Sequence, residues 1–428
     1  MKSPIPDYLA EVLETCGAND EGVLADYIPP LAEADPDRLA LALGTLDGEV
    51  YAVGDADLEF TIQSISKPFV YALALADHGL EAVLEKVDVE PSGEAFNEVS
   101  LEADSGRPLN PMINAGALTT HTLVGAPDLD EEARFERILA GLSAFAGRDL
   151  AVDEEIWQAE LEVAHRNHAI AYMLRGHGVF ALDPREVVRG YIRQCAVLVT
   201  VKDLAAMAAT LANGGVQPFT GERIVSREVG RQVLSVMATS GMYDSAGDWL
   251  STVGIPAKSG VSGGLIGALP GQVGIATFSP RLDEHGTSTR GVRICERLSS
   301  DMGMHLMEVP APARSLVGRR TTLPNVDGAG DGESDGWTYE LQGSINFVGM
   351  ERALRSMVED PPGETAVVLD LTRVHEVRDV GRRMLLEGVR RLVLDGHTVT
   401  LVDPDGLLAE PGTIDAGEGT EARVIDHR

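Results

Sequence analysis

The sequence is short of positive charge. Lys and Arg number 35 against 67 Asp and Glu, a formal net charge of −32. Phosphate backbones and anionic lipid surfaces need basic protein surface, so nucleic acid and membranes are not expected partners. An acidic surface of this size favours solubility and repels acidic macromolecules. Lysine is scarce, arginine supplying nearly all the positive charge. That reads as compositional bias first and a high-salt habitat second. Cysteine is sparse too: Cys16, Cys195 and Cys295 are far apart and odd in number, with no Cys-x-x-Cys. This excludes a zinc ribbon and a disulfide framework. The 10 histidines form no His-Glu-x-x-His or similar cluster, and neither metal nor organic cofactor is expected. No apolar run reaches the roughly 18 residues that span a bilayer. The N-terminus lacks the apolar core of a signal peptide, and the expected compartment is the cytoplasm.

What is present is enough apolar sequence, 44% of 428 residues, for more than one core. One stretch organises the chain: Gln63-Ser64-Ile65-Ser66-Lys67-Pro68-Phe69, followed by the apolar run Val70–Ala76. A hydroxyl and an amine three residues apart on the first turn of a helix share a face. The serine can attack, and a desolvated lysine can take its proton. The helix N-terminus aims N–H groups at developing negative charge. Alone, Ser-x-x-Lys is a weak signal, since Ser64 could merely cap a helix and Lys67 could face solvent.

The flanking sequence predicts its frame. A helix is expected at 6–16, then a hairpin of two apolar runs around Leu46-Asp47-Gly48. Helices follow at 131–147 and 158–174, from Asp183 through Cys195, from Thr200 to Asn213 and from Ser226 to Thr239. Strands resume at 265–269 and 272–278, before a helix near 289–303. Strands at both ends with helices between predict one antiparallel sheet in an α+β domain. The Gly/Asp/Ser-rich segment 311–336 reads as a linker. A small α/β domain is expected over 337–410, and a frayed acidic tail over 411–428.

Ser64-x-x-Lys67 and Lys258-Ser259-Gly260 together resemble the boxes of penicillin-recognising serine enzymes, but no Ser-Asp-Asn accompanies them. Other motifs occur instead, in order. They are Ala25-Asp26-Tyr27-Ile28-Pro29, Pro91–Asn97, Asn110-Pro111-Met112-Ile113-Asn114-Ala115-Gly116-Ala117, and Glu160 with Arg166-Asn167 and Ala169–Tyr172. Tyr191 with Gln194-Cys195, Met242-Tyr243-Asp244 and Pro256–Gly264 complete the set. Over roughly residues 5–307 this set closely resembles the serine-dependent glutaminase family. The resemblance implies a β-lactamase-like fold, an antiparallel sheet flanked by helices with a helical cluster.

It also implies roles. Ser64 would be the nucleophile on the side-chain amide of L-glutamine and Lys67 its base, with Tyr27 also catalytic. The N–H groups of Ser64 and Val261 would form the oxyanion hole. Tyr243 would carry a proton to departing ammonia. Tyr27, Asn114, Glu160, Asn167 and Tyr191 would line the substrate site. Glu160 makes independent sense, because a buried α-ammonium needs a carboxylate. The bland readings stand beside these. The tyrosines could be ordinary half-buried residues, Glu160 could pair with Arg166, and the asparagines could cap turns. Cys195 reads as a small buried hydrophobe. The resemblance implies a homodimer or homotetramer.

Gly343–Phe347, Val367–Asp370 and the helix from Gly381 are similar to the STAS domain, which implies a regulatory protein or ligand there. The hydroxyl that switch versions carry is absent from Val377-Arg378-Asp379-Val380-Gly381, which puts phosphorylation at that position in doubt. Two other classes stay open: a penicillin-recognising enzyme, and a non-enzymatic regulator acting through the small domain.

Overall fold

Asp47-Gly48 sits between two apolar runs, and the chain turns back there. Strand β1 (Ala40–Thr45) leads through it to β2 (Val50–Gly54). In this computed structural model, residues 4–94, 98–308, 316–324, 333–345, 347–359, 361–363, 365–408, 411–417 and 420–426 are described. Residues 95–97 of the Pro91–Asn97 motif lie outside them. The chain divides into two units, Met1–Glu308 and Val309–Arg428.

In the first unit a short ladder joins β3 (Phe60–Thr61) to β4 (Leu198–Val199). The main sheet adds β5 (Ala257–Ser259), β6 (Gly264–Leu269) and β7 (Val273–Phe278), in the order β2-β1-β7-β6-β5. Every pairing is antiparallel. β1 runs against β7 from Ala40 opposite Phe278 to Thr45 opposite Val273. The sheet is thus assembled from both ends of the unit, as expected.

Side chains alternate across a strand, so each strand feeds two cores. Leu41, Leu43, Leu265 and Ile275 pack with Leu9 and Val12 of helix Ile5–Gly17 and with Ile294 and Leu298 of helix Thr289–Met302. Ala40, Ala42, Ile266 and Ala276 face the other way, onto Leu204, Ala205 and Ala208 of helix Val201–Ala212. That helix starts on a reciprocal Thr200–Asp203 capping box. It lies so close to the sheet that a Cβ on Gly274 would stand 2.2 Å from the Ala209 nitrogen.

Ser66–His78 forms a helix buried along its first ten residues, Ser66 through Leu75. A helix apolar all round belongs inside a core. It packs against helices Asn114–Thr122, Glu131–Ala146 and Arg227–Ser240. The 3₁₀ turn Gln63–Ile65 leads into it and carries Ser64, where the sequence suggested the helix itself. The expected helix at 158–174 is two, Glu154–Val163 and His165–Gly176, with Ala164 off helical geometry at ψ 25°. The break falls between Glu160 and Asn167.

The second unit is a six-stranded mixed sheet. Its strands are β8 (Leu316–Pro324), β9 (Glu333–Ile345), β10 (Ala366–Val377), β11 (Thr398–Val402), β12 (Gly412–Gly417) and β13 (Thr420–Ile425), in the order β12-β13-β11-β10-β9-β8. β10 is parallel to β9 and β11, and β11 to β13. Helices Phe347–Glu359 and Asp379–Leu394 connect them. Two expectations are corrected. The segment read as a linker contains β8 and the start of β9, paired antiparallel from Leu316–Leu341 to Pro324–Glu333. Its residues 311–315 and 325–332 lie outside the described residues. The Gly/Asp count hid the β-branched Val317, Thr321 and Thr322. The tail read as frayed forms β12 and β13, with Ile414, Ala422 and Val424 in the core. The glycines and acidic residues of the surrounding tail masked that period-two pattern.

Candidate active site

Lys67 leaves the first turn of its helix into the core, where its side chain is fully buried. Its Nζ donates to Asn114 Oδ1 at 2.7 Å and to Tyr243 Oη at 3.2 Å. No ion pair to Lys67 exists among the described residues, and burial pulls its pKa down to about 7. An amine held neutral in this way can accept a proton. Tyr243 also hydrogen-bonds the side chain of half-buried Ser64. The tyrosine therefore bridges the serine and the lysine. Burial pushes the Tyr243 hydroxyl pKa up, so it carries its proton at neutral pH.

Asn114 sits at the start of its helix and turns its amide Nδ2 to Asn167 Oδ1 at 2.9 Å. The two asparagines hence form one polar edge beside Lys67. Glu160 accepts a bond from Gln63 Nε2 at 3.0 Å. Arg166, its partner in the purely structural alternative, pairs with Glu98 at 3.2 Å. Burial pushes the Glu160 carboxyl up to about 7, against the Gln63 donation, which lowers it. A cation arriving beside Glu160 would restore its charge.

Tyr191 is buried on helix Pro184–Cys195, started by the Asp183 cap. Its hydroxyl meets the thiol of Cys195 one turn on, and that thiol meets Ser66. Cys195 is buried as expected, but it is also wired to the site by hydrogen bonds. Val261 lies in the turn between β5 and β6, where Gly263 N bonds Gly260 O and Gly260 N bonds Gly264 O, each at 2.9 Å. A Cβ at Gly260 would stand 3.1 Å from Ile62 O and 3.4 Å from the Gln63 Cβ. The bare glycine lets this turn lie against the turn bearing Ser64. Tyr27, 51% exposed, lines an outer cavity of about 240 Å³ together with Val261, Asp244 and His285. Desolvation of its hydroxyl, with Glu160 nearby, raises its pKa.

Strain marks the same place. Among the described residues only two other than glycine have positive φ: Gln63 at 49° and Tyr243 at 55°. Such conformations cost about 1–3 kcal/mol each and persist where the surroundings over-determine them. Gln63 is held by Ser66 Oγ, which donates to its carbonyl at 2.8 Å and accepts from Gln194 Nε2 at 2.9 Å. Gln194 in turn meets His121 at 3.0 Å, and His121 meets Glu131 at 2.7 Å.

Ser64, a lysine kept neutral by burial and the bridging Tyr243 are joined in one hydrogen-bonded chain. The glutaminase family profile matches residues 22–307. The chain belongs to the glutaminase family. A glutaminase of Corynebacterium efficiens is 47% identical over 99% of this chain and 97% of its own. One of Clavibacter michiganensis is 51% identical over 69% of this chain and 90% of its own. A crystal structure of a protein called Mglu, in its L-glutamate-binding form at 4.3 M NaCl, superposes with a TM-score of 0.85. It is 46% identical and covers 96% of this chain and 100% of its own.

Within this glutaminase frame, Ser64, Lys67, Asn114, Asn167 and Tyr243 form one hydrogen-bonded group. Glu160, Tyr191 and Val261 adjoin it through Gln63, Cys195 and Gly260, and Tyr27 stands at the mouth. Sequence reasoning missed Gln63 and Ser66, although one directly precedes and the other lies within Ser64-x-x-Lys67. It noticed Lys258 in a motif without giving it a place at the site. Among the described residues no group of three or more His, Cys, Asp or Glu side chains is placed to hold a metal ion. None of their helices is long and apolar enough to cross a membrane.

Proposed function

We propose that this chain hydrolyses L-glutamine to L-glutamate and ammonia through a glutamyl ester on Ser64. The observation that carries the reading is the fully buried, uncompensated Lys67 amine joined through Tyr243 to Ser64. Glu160 receives the α-ammonium of the substrate, and Asn114 and Asn167 its α-carboxylate. Tyr27 and Tyr191 wall the pocket. Neutral Lys67 takes the Ser64 proton as Oγ attacks the amide carbon. The oxyanion is held by the N–H groups of Ser64 and Val261. The C–N bond then breaks. Tyr243 gives its proton to the departing nitrogen and regains one from the Lys67 ammonium. Ammonia leaves, and Lys67 is neutral again. Water attacks the ester, giving its proton to Lys67. Ser64 takes that proton back as glutamate departs.

The test is ammonia and glutamate release from glutamine by wild type and by Ser64→Ala. Wild-type activity with a loss of at least a thousandfold in a folded Ser64→Ala is expected. Activity surviving in Ser64→Ala would remove Ser64 as nucleophile. Alternating strands and helices in the second unit support a STAS-like reading, with a regulatory protein or small ligand as its partner. A cytoplasmic homodimer or homotetramer is the expected form, and light scattering measures the assembly.

A further inference from the structure

The chain has only five lysines, Lys2, Lys67, Lys86, Lys202 and Lys258. Two of them, Lys67 and Lys258, are fully buried. Lys67 has its role in the relay; Lys258 has none so far. We propose that Lys258 is a positioning residue for the leaving-group proton: its amine, seated over the Tyr243 ring, fixes the direction in which the tyrosine hydroxyl points.

The geometry carries this. Lys258 lies in β5 opposite Ile266 of β6. Alternation sends Ala257 to the sheet face of the Leu41–Ile275 core and Lys258 to the other. Its Nζ stands 4.0 Å from the Tyr243 ring centroid and donates to the Ser259 carbonyl at 2.7 Å. The Lys67 Nζ lies 5.3 Å from the same centroid. Two amines therefore share one aromatic ring. In either protonation state an amine N–H is attracted to the negative face of a phenol ring.

The cost of the arrangement argues for a role. Lys258 makes no ion pair among the described residues. Burial, and then the charge of Lys67, drive its pKa well below the ordinary lysine value. Methionine would fill the same space with no polar group to desolvate. Tyr243 sits in strained backbone at φ 55°, so something must hold it there. A ring pinned by Lys258 keeps Oη 3.2 Å from Lys67 Nζ. Without the pin the ring tips, and proton delivery to the departing nitrogen slows. The groups that grip the substrate backbone (Glu160, Asn114 and Asn167) are untouched.

This rests on the role given above to Tyr243, and the experiment separates the two. Lys258→Met is assayed on glutamine and on a γ-aryl ester of glutamate. Glutamine loses nitrogen and needs a proton on it; an aryloxide leaves without one. The expected result is a loss in kcat on the order of 10- to 100-fold with glutamine, KM within about threefold, and under about threefold loss with the ester. The ratio of the two rates does not depend on how much of the variant is folded. Lys258→Gln is read by the same ratio if the Met variant does not fold. Equal losses on both substrates, or no loss on either, overturn the proposal. A wild type that turns over neither substrate overturns the glutaminase reading itself.

Discussion

Two ionisable side chains at the site have their midpoints at neutral pH, and they need opposite charge states. In the proposed mechanism Lys67 must be neutral to accept a proton, and Glu160 must be ionised to hold an ammonium. Each is at about 7, so both conditions fail together on acidification. The value of kcat/KM should fall below pH 7 with a slope approaching two, measurable as a pH–rate profile on glutamine. Glu160→Gln should leave a slope near one at a much lower rate. The same carboxyl acts on stability. Its folded pKa lies above its ordinary value, so its contribution is full below pH ~4.5 and is lost as pH rises through 7. Glu160→Gln should therefore melt no higher than wild type at pH 4.5 and higher at pH 8, read by thermal unfolding. Ser64 and Lys67 could be paired from the sequence because they stand only three residues apart, at the entry to one helix. Glu160 entered the candidate set by what a buried α-ammonium would need. Gln63 and Lys258 were not legible, since one acts through a bond to residue 160 and the other through a ring at residue 243.

At the level of elements, close packing of the helix Val201–Ala212 on the sheet is what Gly44 and Gly274 permit. A Cβ on Gly274 meets backbone, the Ala209 nitrogen, which cannot swing aside. Gly274→Ala should cost about 1–3 kcal/mol or more in denaturant unfolding. Gly247 is the contrast: it is exposed within helix Ala246–Thr252, and a Cβ there meets nothing within 4 Å. Gly247→Ala should stabilise by up to about 1 kcal/mol in the same titration. The hairpin of β1 and β2 and the strands β6 and β7 could be read from apolar runs and an Asp-Gly turn. Strands β8, β12 and β13 could not, because glycine and acidic residues dominate their neighbourhoods. Their pairing comes from partners elsewhere in the sheet, such as Leu341 of β9 for Leu316 and Val402 of β11 for Ile425.

The whole molecule carries a charge of −32, and a compact body of one sign repels itself. Salt shortens the reach of that repulsion. The melting temperature should rise between roughly 0.05 and 1 M NaCl, checked by scanning calorimetry. The matched profile ends at residue 307, and the first unit ends at Glu308. A chain stopped at Glu308 should keep glutamine hydrolysis within about threefold of the full chain in a coupled assay. The two-unit plan was legible from composition, while the edges of the second unit were hidden in the Gly/Asp run. β1 pairs with β7, so the main sheet of the first unit waits for a strand that ends at Phe278. A ribosome delivers Ser64 and Lys67 early, but Tyr243, Lys258 and β7 come long afterwards. A partly translated copy therefore holds Ser64 and Lys67 without Tyr243 and Lys258. On the proposed mechanism a fragment abandoned midway is inert, and chemistry is first acquired when nearly all of the first unit has been made.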